Sequence, residues 1–395
     1  MTVSPAPGPP PIVETSAPME QPVKVALLLP LSGRLANLGK AMADAAQMAM
    51  FDLADPRFQL LPIDDKGTTS GAAEAARQAV ADGAQLIIGP LLAASVSAVT
   101  PIASAAGVPV IAFSSDRKVA AEGVYIIGFT PDAEVQRVID FAAQGGLSRF
   151  GVLAPDNLYG AAVVEATRRA VAQNRATLVR IQLYEPNTQD FAPVVRKLLG
   201  LPEPAPAPAA PPAGTAAGTA LPGTPLPPAA ATVSPPPPVI MPPRTFDALL
   251  LAEGGSQLRG LAAALSTAGV RSPSAQLLGT GKWDEPGVGT ETALIGAWFA
   301  APSPVNREEF ETRYRRAFGQ SPPRLATLAY AATALSAVLA RGPQQQPFTL
   351  TALTDPSGFY GRDGLFRLNS DGLADRKLAI LRVDRGGVTV IDEPP

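Results

Sequence analysis

Apolar residues in this chain form short unbroken runs that alternate with longer segments of helical period. From Val23 the run VKVALLLPL is apolar almost throughout, and a helical pattern follows from Leu38 to Leu53. Unbroken apolar strands that alternate with helices of about 10–16 residues are typical of a parallel sheet covered on both faces. We therefore predict an α/β fold. The later members of this series are FQLLPID, a helix over 71–82, QLIIG, a helical stretch to Ala106, VPVIAF and GVYIIGF.

The same alternation starts again in the second part of the chain, at SRFGVLAP over 148–155. Two successive doubly wound units predict two similar lobes. The elements of this second series are a helix over 161–173, ATLVRIQLY, a helix over 190–199, FDALLLAE at 246–253, a helix over 257–268 and AQLLGTG. Two helices, NREEFETRYRRAF and LATLAYAATALSAVLA, and a hairpin-rich tail follow.

Composition divides the chain further. Proline-rich residues 1–22 predict a disordered tether, and residues 201–243, rich in proline and alanine with Glu203 as the single charge, predict a disordered insertion within lobe 2. The insertion is either a tolerated surface loop or a proline-rich docking segment. We assign 23–130 plus 282–350 to lobe 1 and 131–281 plus 351–395 to lobe 2.

Several classes of function are excluded by residue types that the chain lacks. The 395 residues include no cysteine and no histidine, so a disulfide, a catalytic thiolate, a Ser-His-Asp triad and an HExxH zinc site are all excluded. The formal net charge is −2 and no run of basic residues occurs, so nucleic acid is not an expected partner. We expect no cofactor, no metal and no enzymatic activity.

The compartment is not decided by these residue types. No apolar run reaches the ~18 residues of a membrane helix, and the opening MTVSPAPGPPP has no hydrophobic stretch of a signal peptide. Either the protein is cytoplasmic or it is exported and given without its leader. We expect the second.

Four partial motifs carry little weight. The segment from Ser115 to Lys118 has the SxxK spacing of serine acyltransferases but lacks the partner motifs. Residues 33–40 resemble a phosphate loop with one spacer too many, and the GTGK at 279–282 lacks the other glycines. Asp363, Asn369 and Asp371 have a calcium-like composition, but a pair of tight turns explains them better.

Candidate ligand-binding residues come from a rule for open parallel sheets. Ligands lie beyond the carboxyl ends of the strands, where helix N-termini present free N–H groups. Hydroxyls there suit an anionic or amide ligand, carboxylates suit a cation, and a tyrosine can cover an apolar part. Each residue has an alternative role as a helix cap or turn former. The residues that the rule selects are Ser32, Leu92, Ser95, Ser114, Ser115, Asp116, Asp156, Tyr159 and Glu253.

Several motifs together resemble a known family. They are VALLLPLSGRLANLG, LIIGPLL, VPVIAFSS, NLYG after a strand, FDALLLAEGG and FYGRDGLFRLNSDGLADRKLAIL. They resemble the type I periplasmic binding proteins of the leucine-binding class over about residues 23–395, apart from the insertion. LLLPLSG with GPLL, and an insertion at this place, are most similar to the penicillin-binding-protein activators, outer-membrane lipoproteins that stimulate peptidoglycan synthases.

The resemblance implies two lobes joined by three crossing segments, with hinge closure around a cleft. It also implies residue roles. The serine that holds a ligand carboxylate in amino-acid binders corresponds to Ala93, and the acid that holds the ammonium corresponds to Gln257, with Glu253 one turn away. Tyr159 matches the family's tyrosine. Loss of two of the three polar anchors argues against binding of a free amino acid.

Two functions follow from the resemblance. The first is a non-catalytic, periplasmic regulator of peptidoglycan synthesis that docks to a class A penicillin-binding protein and is lipid-anchored to the outer membrane. The alternative is the solute-binding subunit of an importer, which delivers an amino acid, amide or short-chain acid to an ABC permease.

Overall fold

A computed structural model describes residues 22–53, 56–202, 245–342 and 346–395, without the side chain of Asn306. The predicted tether lies outside the described residues up to residue 21, and the predicted insertion lies outside them from residue 203 onwards. The chain forms two compact units. Unit 1 comprises the described residues up to Thr130 with Pro302–Leu378 and Pro394–Pro395, and unit 2 comprises Pro131–Ala301 with Ala379–Glu393.

The first part of unit 1 alternates strands and helices as predicted. Its five strands form one parallel sheet in the order β2-β1-β3-β4-β5. The middle strands are buried on both faces, because helices cover each side. The elements are β1 Val23–Leu29, α1 Ala36–Leu53, β2 Phe58–Asp64, α2 Thr69–Ala81, β3 Leu86–Ile88, α3 Ala93–Ala105, β4 Val110–Ala112 and β5 Val124–Ile126.

Unit 2 begins with a helix and repeats the alternation. Four of its strands run parallel in the order β10-β9-β8-β6 and a fifth, β7, completes the parallel part at the edge. The elements are α4 Pro131–Gln144, β6 Arg149–Pro155, α5 Leu158–Gln173, β7 Thr177–Tyr184, α6 Ala192–Leu199, β8 Ala248–Leu251, α7 Gly255–Thr267, β9 Gln276–Gly279 and β10 Trp298–Ala301.

The last part of the chain contributes to both units. Three helices and a small antiparallel sheet return to unit 1, and a hairpin then extends the sheet of unit 2, where β14 pairs antiparallel with β10. The elements are α8 Val305–Phe318, α9 Ala326–Ala340, α10 Leu350–Leu353, β11 Phe359–Gly361, β12 Gly364–Leu368, β13 Ala374–Arg376, β14 Ala379–Asp384 and β15 Gly387–Asp392.

Each unit has its own hydrophobic core. In unit 1, α1 lies against α9, and the small residues Ala45 and Ala49 of α1 let the two helices pack closely. Tyr330 of α9 donates a hydrogen bond of 2.6 Å to the Asp52 carboxylate at the end of α1. In unit 2, the fully buried Trp283 and Phe299 of β10 pack together in the hydrophobic core. No helix among the described residues is long and apolar enough to cross a membrane.

The prediction of two α/β lobes with parallel sheets is confirmed, but the division of the chain differs from the predicted boundaries. Residues 282–301 belong to unit 2 rather than lobe 1, because β10 pairs with β9 and β14 in the middle of that sheet. Residues 351–378 belong to unit 1 rather than lobe 2, because β11 packs on α9 and Phe366 enters the unit 1 core. The sequence reading did not identify β10 as a strand.

A buried group of charges lies in the C-terminal part of unit 1. Asp363, 2% exposed, pairs with Arg324 at 2.9 Å, and Arg376 donates a hydrogen bond of 2.7 Å to the carbonyl oxygen of Ile127. Burial lowers the pKa of Arg376 to about 10, although Asp363 opposes the shift. Asp371 accepts a hydrogen bond of 3.0 Å from the Leu373 amide, as expected of a turn residue rather than a calcium ligand.

Candidate functional site

Ser32 lies in an exposed loop that follows β1. Its amide donates to Asp64 Oδ1 at 3.2 Å, and the amides of Leu31 and Lys66 donate to the same oxygen at 2.8 Å each. Partial burial disfavours the charged carboxylate, but these bonds and one from the Ser32 hydroxyl outweigh it and lower the pKa of Asp64. Asp64 therefore fixes the loop that carries Ser32.

The predicted residues after β3 are placed at the start of α3. Leu92 is the N-cap residue and is 36% exposed, and Ala93 is the first residue of the helix. Ser95 is 1% exposed, so its hydroxyl is turned into the protein. The N-terminus of α3, rather than the Ser95 side chain, is the exposed feature of this loop.

The residues after β4 form a turn. Ser114 is buried and its hydroxyl accepts a hydrogen bond of 3.1 Å from the Asp116 amide. Asp116 in turn caps a short 3₁₀ helix by accepting from the Lys118 amide at 3.0 Å. Ser115 lies between them with an exposed side chain. Two of these three polar side chains therefore have the alternative role of turn formers.

In unit 2, Tyr159 is positioned by the turn from β6 into α5. Asn157 caps α5 by accepting a hydrogen bond of 2.9 Å from the Gly160 amide, which places Tyr159 in the first turn of the helix. The Tyr159 hydroxyl and Thr280 Oγ1 lie 2.8 Å apart in a hydrogen bond. Thr280, which follows β9, is fully buried.

Lys282 lies two residues beyond Thr280, and its ammonium is placed over the face of Tyr159. The Nζ atom is 3.8 Å from the ring centroid, which is a close cation–π contact. It is also 4.0 Å from Glu253 Oε2. Burial lowers the pKa of Lys282, while the carboxylates of Glu253 and Glu134 oppose that shift.

Glu253 follows β8 and is 8% exposed. Its Oε2 accepts a hydrogen bond of 3.3 Å from the amide of Gly254. Tyr184, the last residue of β7, lies beside it. Burial, together with the negative charge of Glu253, raises the pKa of the Tyr184 hydroxyl.

Glu134 reaches the same place from α4. Its Oε2 accepts a hydrogen bond of 2.9 Å from the amide of Gly281, between Thr280 and Lys282, and the residue is 6% exposed. Burial and then the Glu134 charge are the main causes that raise the pKa of Tyr159. Glu134 therefore ties the loop after β9 to α4.

These side chains converge where strands of unit 2 end. We name them the Lys282 cluster: Glu134, Tyr159, Tyr184, Glu253, Thr280 and Lys282. The cluster offers one ammonium, hydroxyls and an aromatic face, which suit recognition of a small polar molecule. Among the described residues, no group of three or more acidic side chains is arranged to hold a metal ion.

The sequence rule identified only part of this cluster. It found Tyr159 and Glu253 and missed Glu134, Tyr184, Thr280 and Lys282. The signal for two of them was present, because Thr280 and Lys282 follow the predicted strand AQLLGTG. Gln257, another predicted residue of unit 2, lies in the first turn of α7. Its amide oxygen is buried and accepts no hydrogen bond from a described residue.

Two sequence comparisons bear on the family. Residues 22–201 match the family model described as "Periplasmic binding protein". The uncharacterized protein RP748 of Rickettsia prowazekii is 23% identical over 179 residues, which are 45% of this chain and 48% of that protein. The chain thus spans about half the length of that relative.

Solved structures cover nearly the whole chain. A Rhodospirillum rubrum protein described as a candidate branched-chain amino acid ABC transporter aligns with a TM-score of 0.74 at 17% identity, over 94% of this chain and 100% of the other. An ABC transporter substrate-binding protein from Sphaerobacter thermophilus aligns with a TM-score of 0.72 at 19% identity, over 95% and 98%. The chain has the fold of the type I periplasmic binding proteins of the leucine-binding class.

Proposed function

We propose that this protein is a periplasmic, non-catalytic solute-binding protein that delivers a small molecule to an ABC permease. The observation that carries the proposal is the Lys282 cluster. It brings an ammonium, hydroxyls and an aromatic face together at the carboxyl ends of parallel strands, where this class of sheet binds ligands. The fold shared with ABC transporter substrate-binding proteins supports the same function.

The residues available to the cluster also favour binding over catalysis. The chain has no histidine or cysteine, so the commonest general base and the most reactive thiol nucleophile are both excluded. Tyr159 and Tyr184 both have pKa values raised by burial and by Glu134 or Glu253, so their hydroxyls stay protonated at neutral pH. Such groups hold a ligand by hydrogen bonds.

The test is a thermal-shift screen of the full chain against amino acids, amides, organic acids, amines and sugars. A ligand present at a hundred times its dissociation constant stabilises the folded state by about 2.7 kcal/mol. We expect at least one compound to raise the melting temperature, and Tyr159→Ala to abolish that shift. Tyr360→Ala is the matched control, because Tyr360 is 76% exposed and lies in unit 1. A flat response across the screen would contradict the proposal.

A second candidate function is docking to a class A penicillin-binding protein to regulate peptidoglycan synthesis, with a lipid anchor in the outer membrane. Its support is the sequence resemblance of LLLPLSG and GPLL to the penicillin-binding-protein activators, together with Ala93 and Gln257 in place of polar anchors. Co-purification with detergent-solubilised peptidoglycan synthases tests it. Retention with a change in synthase rate is the expected result, and neither retention nor a rate change would remove this candidate.

A further inference from the structure

We infer that the solute bound at the Lys282 cluster carries a carboxylate and lacks an amine, because Lys282 already supplies the cation at this place. The inference rests on the proposed solute-binding function and deepens it by naming the class of solute.

The first step concerns the place that Lys282 fills. An aromatic ring face beside a carboxylate is an arrangement that recognises an alkylammonium ion. Tyr159 and Glu253 form such an arrangement, and the ammonium they hold is that of Lys282, 3.8 Å from the ring centroid and 4.0 Å from the carboxylate oxygen. A solute amine would have to enter beside an existing positive charge, which is unfavourable.

The second step concerns the hydrogen-bond donors of Lys282. An ammonium has three N–H donors and no acceptor. Within the parts of the chain that the structure describes, the Lys282 ammonium donates no hydrogen bond, since its nearest paired carboxylate oxygen is 4.0 Å away. Its side chain is 42% exposed. The side chain that carries these donors is therefore partly exposed to solution.

The third step concerns the negative charges nearby, which would otherwise favour a cationic solute. The Glu253 side chain is only 11% exposed and Glu134 is 6% exposed. Each already accepts a hydrogen bond from a backbone amide, Gly254 for Glu253 and Gly281 for Glu134. Lys282 has the most exposed charged side chain of the cluster, and a solute carboxylate is a favourable partner for its ammonium.

The experiment compares compounds that share a carbon skeleton and differ in charge. The first series is 4-methyl-2-oxopentanoate, leucine and 3-methylbutylamine, and the second is benzoate, phenylglycine and benzylamine. Binding to the full chain is measured at pH 7 by calorimetry. We expect an acid of either series to bind at least about tenfold more tightly than its amino acid or amine, as one charge-assisted hydrogen bond allows.

Variants at one position test the role of Lys282. Lys282→Met should weaken binding of the acid about tenfold or more, and Lys282→Arg, which retains the charge, should weaken it less. Lys282→Met should also gain affinity for the matching amine, since the ring face and Glu253 become available. Circular dichroism checks folding, and Lys282→Gln replaces Lys282→Met if that variant is unstable.

The outcomes separate the two proposals. Leucine or phenylglycine binding as tightly as its matching acid would overturn the inference on solute class while the solute-binding function stands. The thermal-shift screen tests the same inference with other compounds. If the solute that binds is a neutral sugar or an amine, the inference on solute class is also overturned. If no compound binds at all, the solute-binding function is contradicted and the inference fails with it.

Discussion

The Tyr159 side chain makes two separable contacts, one through its hydroxyl and one through its ring. The hydroxyl shares a hydrogen bond with Thr280, and the ring face holds Lys282. Tyr159→Phe removes the first contact and keeps the second, which leaves the buried Thr280 hydroxyl without its partner. We expect a loss of about 1–2 kcal/mol in the free energy of unfolding, measured by urea denaturation.

Tyr360→Phe is the control for this change. Tyr360 is 76% exposed, so loss of its hydroxyl should change the free energy of unfolding by less than about 0.5 kcal/mol. Equal effects of the two substitutions would show that the bond between Tyr159 and Thr280 contributes nothing to stability.

Asp64 gives unit 1 a defined dependence on pH. Its folded pKa is lowered despite partial burial, because the Ser32 hydroxyl and the amides of Lys66, Leu31 and Ser32 donate to its carboxylate. The ionised form therefore stabilises the folded state above the unfolded pKa of about 3.9, and this contribution is lost as pH falls through the lower folded value. We expect Asp64→Asn to cost about 1–2 kcal/mol at pH 7.

Denaturation midpoints between pH 7 and pH 2 measure this effect. The difference in stability between wild type and Asp64→Asn should shrink as the wild-type carboxylate becomes protonated in acid. Glu185→Gln, at an exposed position, serves as the control and should follow the wild type at every pH. A constant difference between wild type and Asp64→Asn across the range would contradict the prediction.

At the scale of elements, the helix that follows the first strand of each unit approaches the carboxyl end of that strand through a glycine. In unit 1 a Cβ atom on Gly39 of α1 would overlap the carbonyl oxygen of Pro30, and in unit 2 one on Gly160 of α5 would overlap that of Pro155. Because the obstacle is backbone rather than a flexible side chain, the helix itself would have to move.

Gly39→Ala and Gly160→Ala are therefore expected to destabilise the protein, although alanine favours a helix by about 1 kcal/mol over glycine. Overpacking of this kind costs about 1–3 kcal/mol, and the rigid obstacle puts both variants toward the upper end, so we expect a net loss. Gly387→Ala is the control, since nothing lies within 4 Å of its Cβ position. Stabilisation by either helical substitution, measured by chemical denaturation, would show that the helices can shift at little cost.

A long, buried strand leaves a clear apolar signal in the sequence. β1 and β6 are each seven residues and buried almost throughout, so their pattern is unambiguous. β10 has four residues, as do the correctly predicted β8 and β9. However, short 3₁₀ helices rather than an α-helix separate β9 from β10, so the alternation of strands and helices did not predict a strand there. Its omission also displaced the predicted lobe boundary, because β10 lies in the middle of the unit 2 sheet.

Only the residues of the candidate site that directly follow a predicted strand could be predicted from the sequence. Tyr159 and Glu253 follow strands directly and were found by the carboxyl-end rule. The pairing of Tyr159 with Thr280 joins residues 121 positions apart, and that of Glu134 with Gly281 joins residues 147 positions apart. Such contacts cannot be predicted from the spacing of residues along the chain, because they depend on the order of strands in the sheet and on the placement of α4.

At the scale of the whole molecule, neither unit is a continuous stretch of chain. The chain passes from one unit to the other after Thr130, Ala301, Leu378 and Glu393. The unit 1 core combines Met42 and Ala45 of α1 with Leu328 of α9, nearly 300 residues later in the chain, and the unit 2 sheet is extended by β14. Each core is therefore completed by the last third of the sequence.

Truncation tests this dependence. A chain that ends at Ala301 keeps strands β1–β10 and helices α1–α7 but lacks α9 and β14. The apolar face of α1 and one edge of β10 are then uncovered. We expect this truncated chain to show no cooperative unfolding transition by circular dichroism. Removal of residues 1–21, which precede the first described strand, is the matched control and should change stability by less than about 0.5 kcal/mol. Our prediction rests on the hydrophobic effect, since the truncated chain cannot bury α1 against α9. A sharp cooperative transition in the chain ending at Ala301 would therefore contradict it and would mean that β1–β5 and β6–β10 fold without α9 and β14.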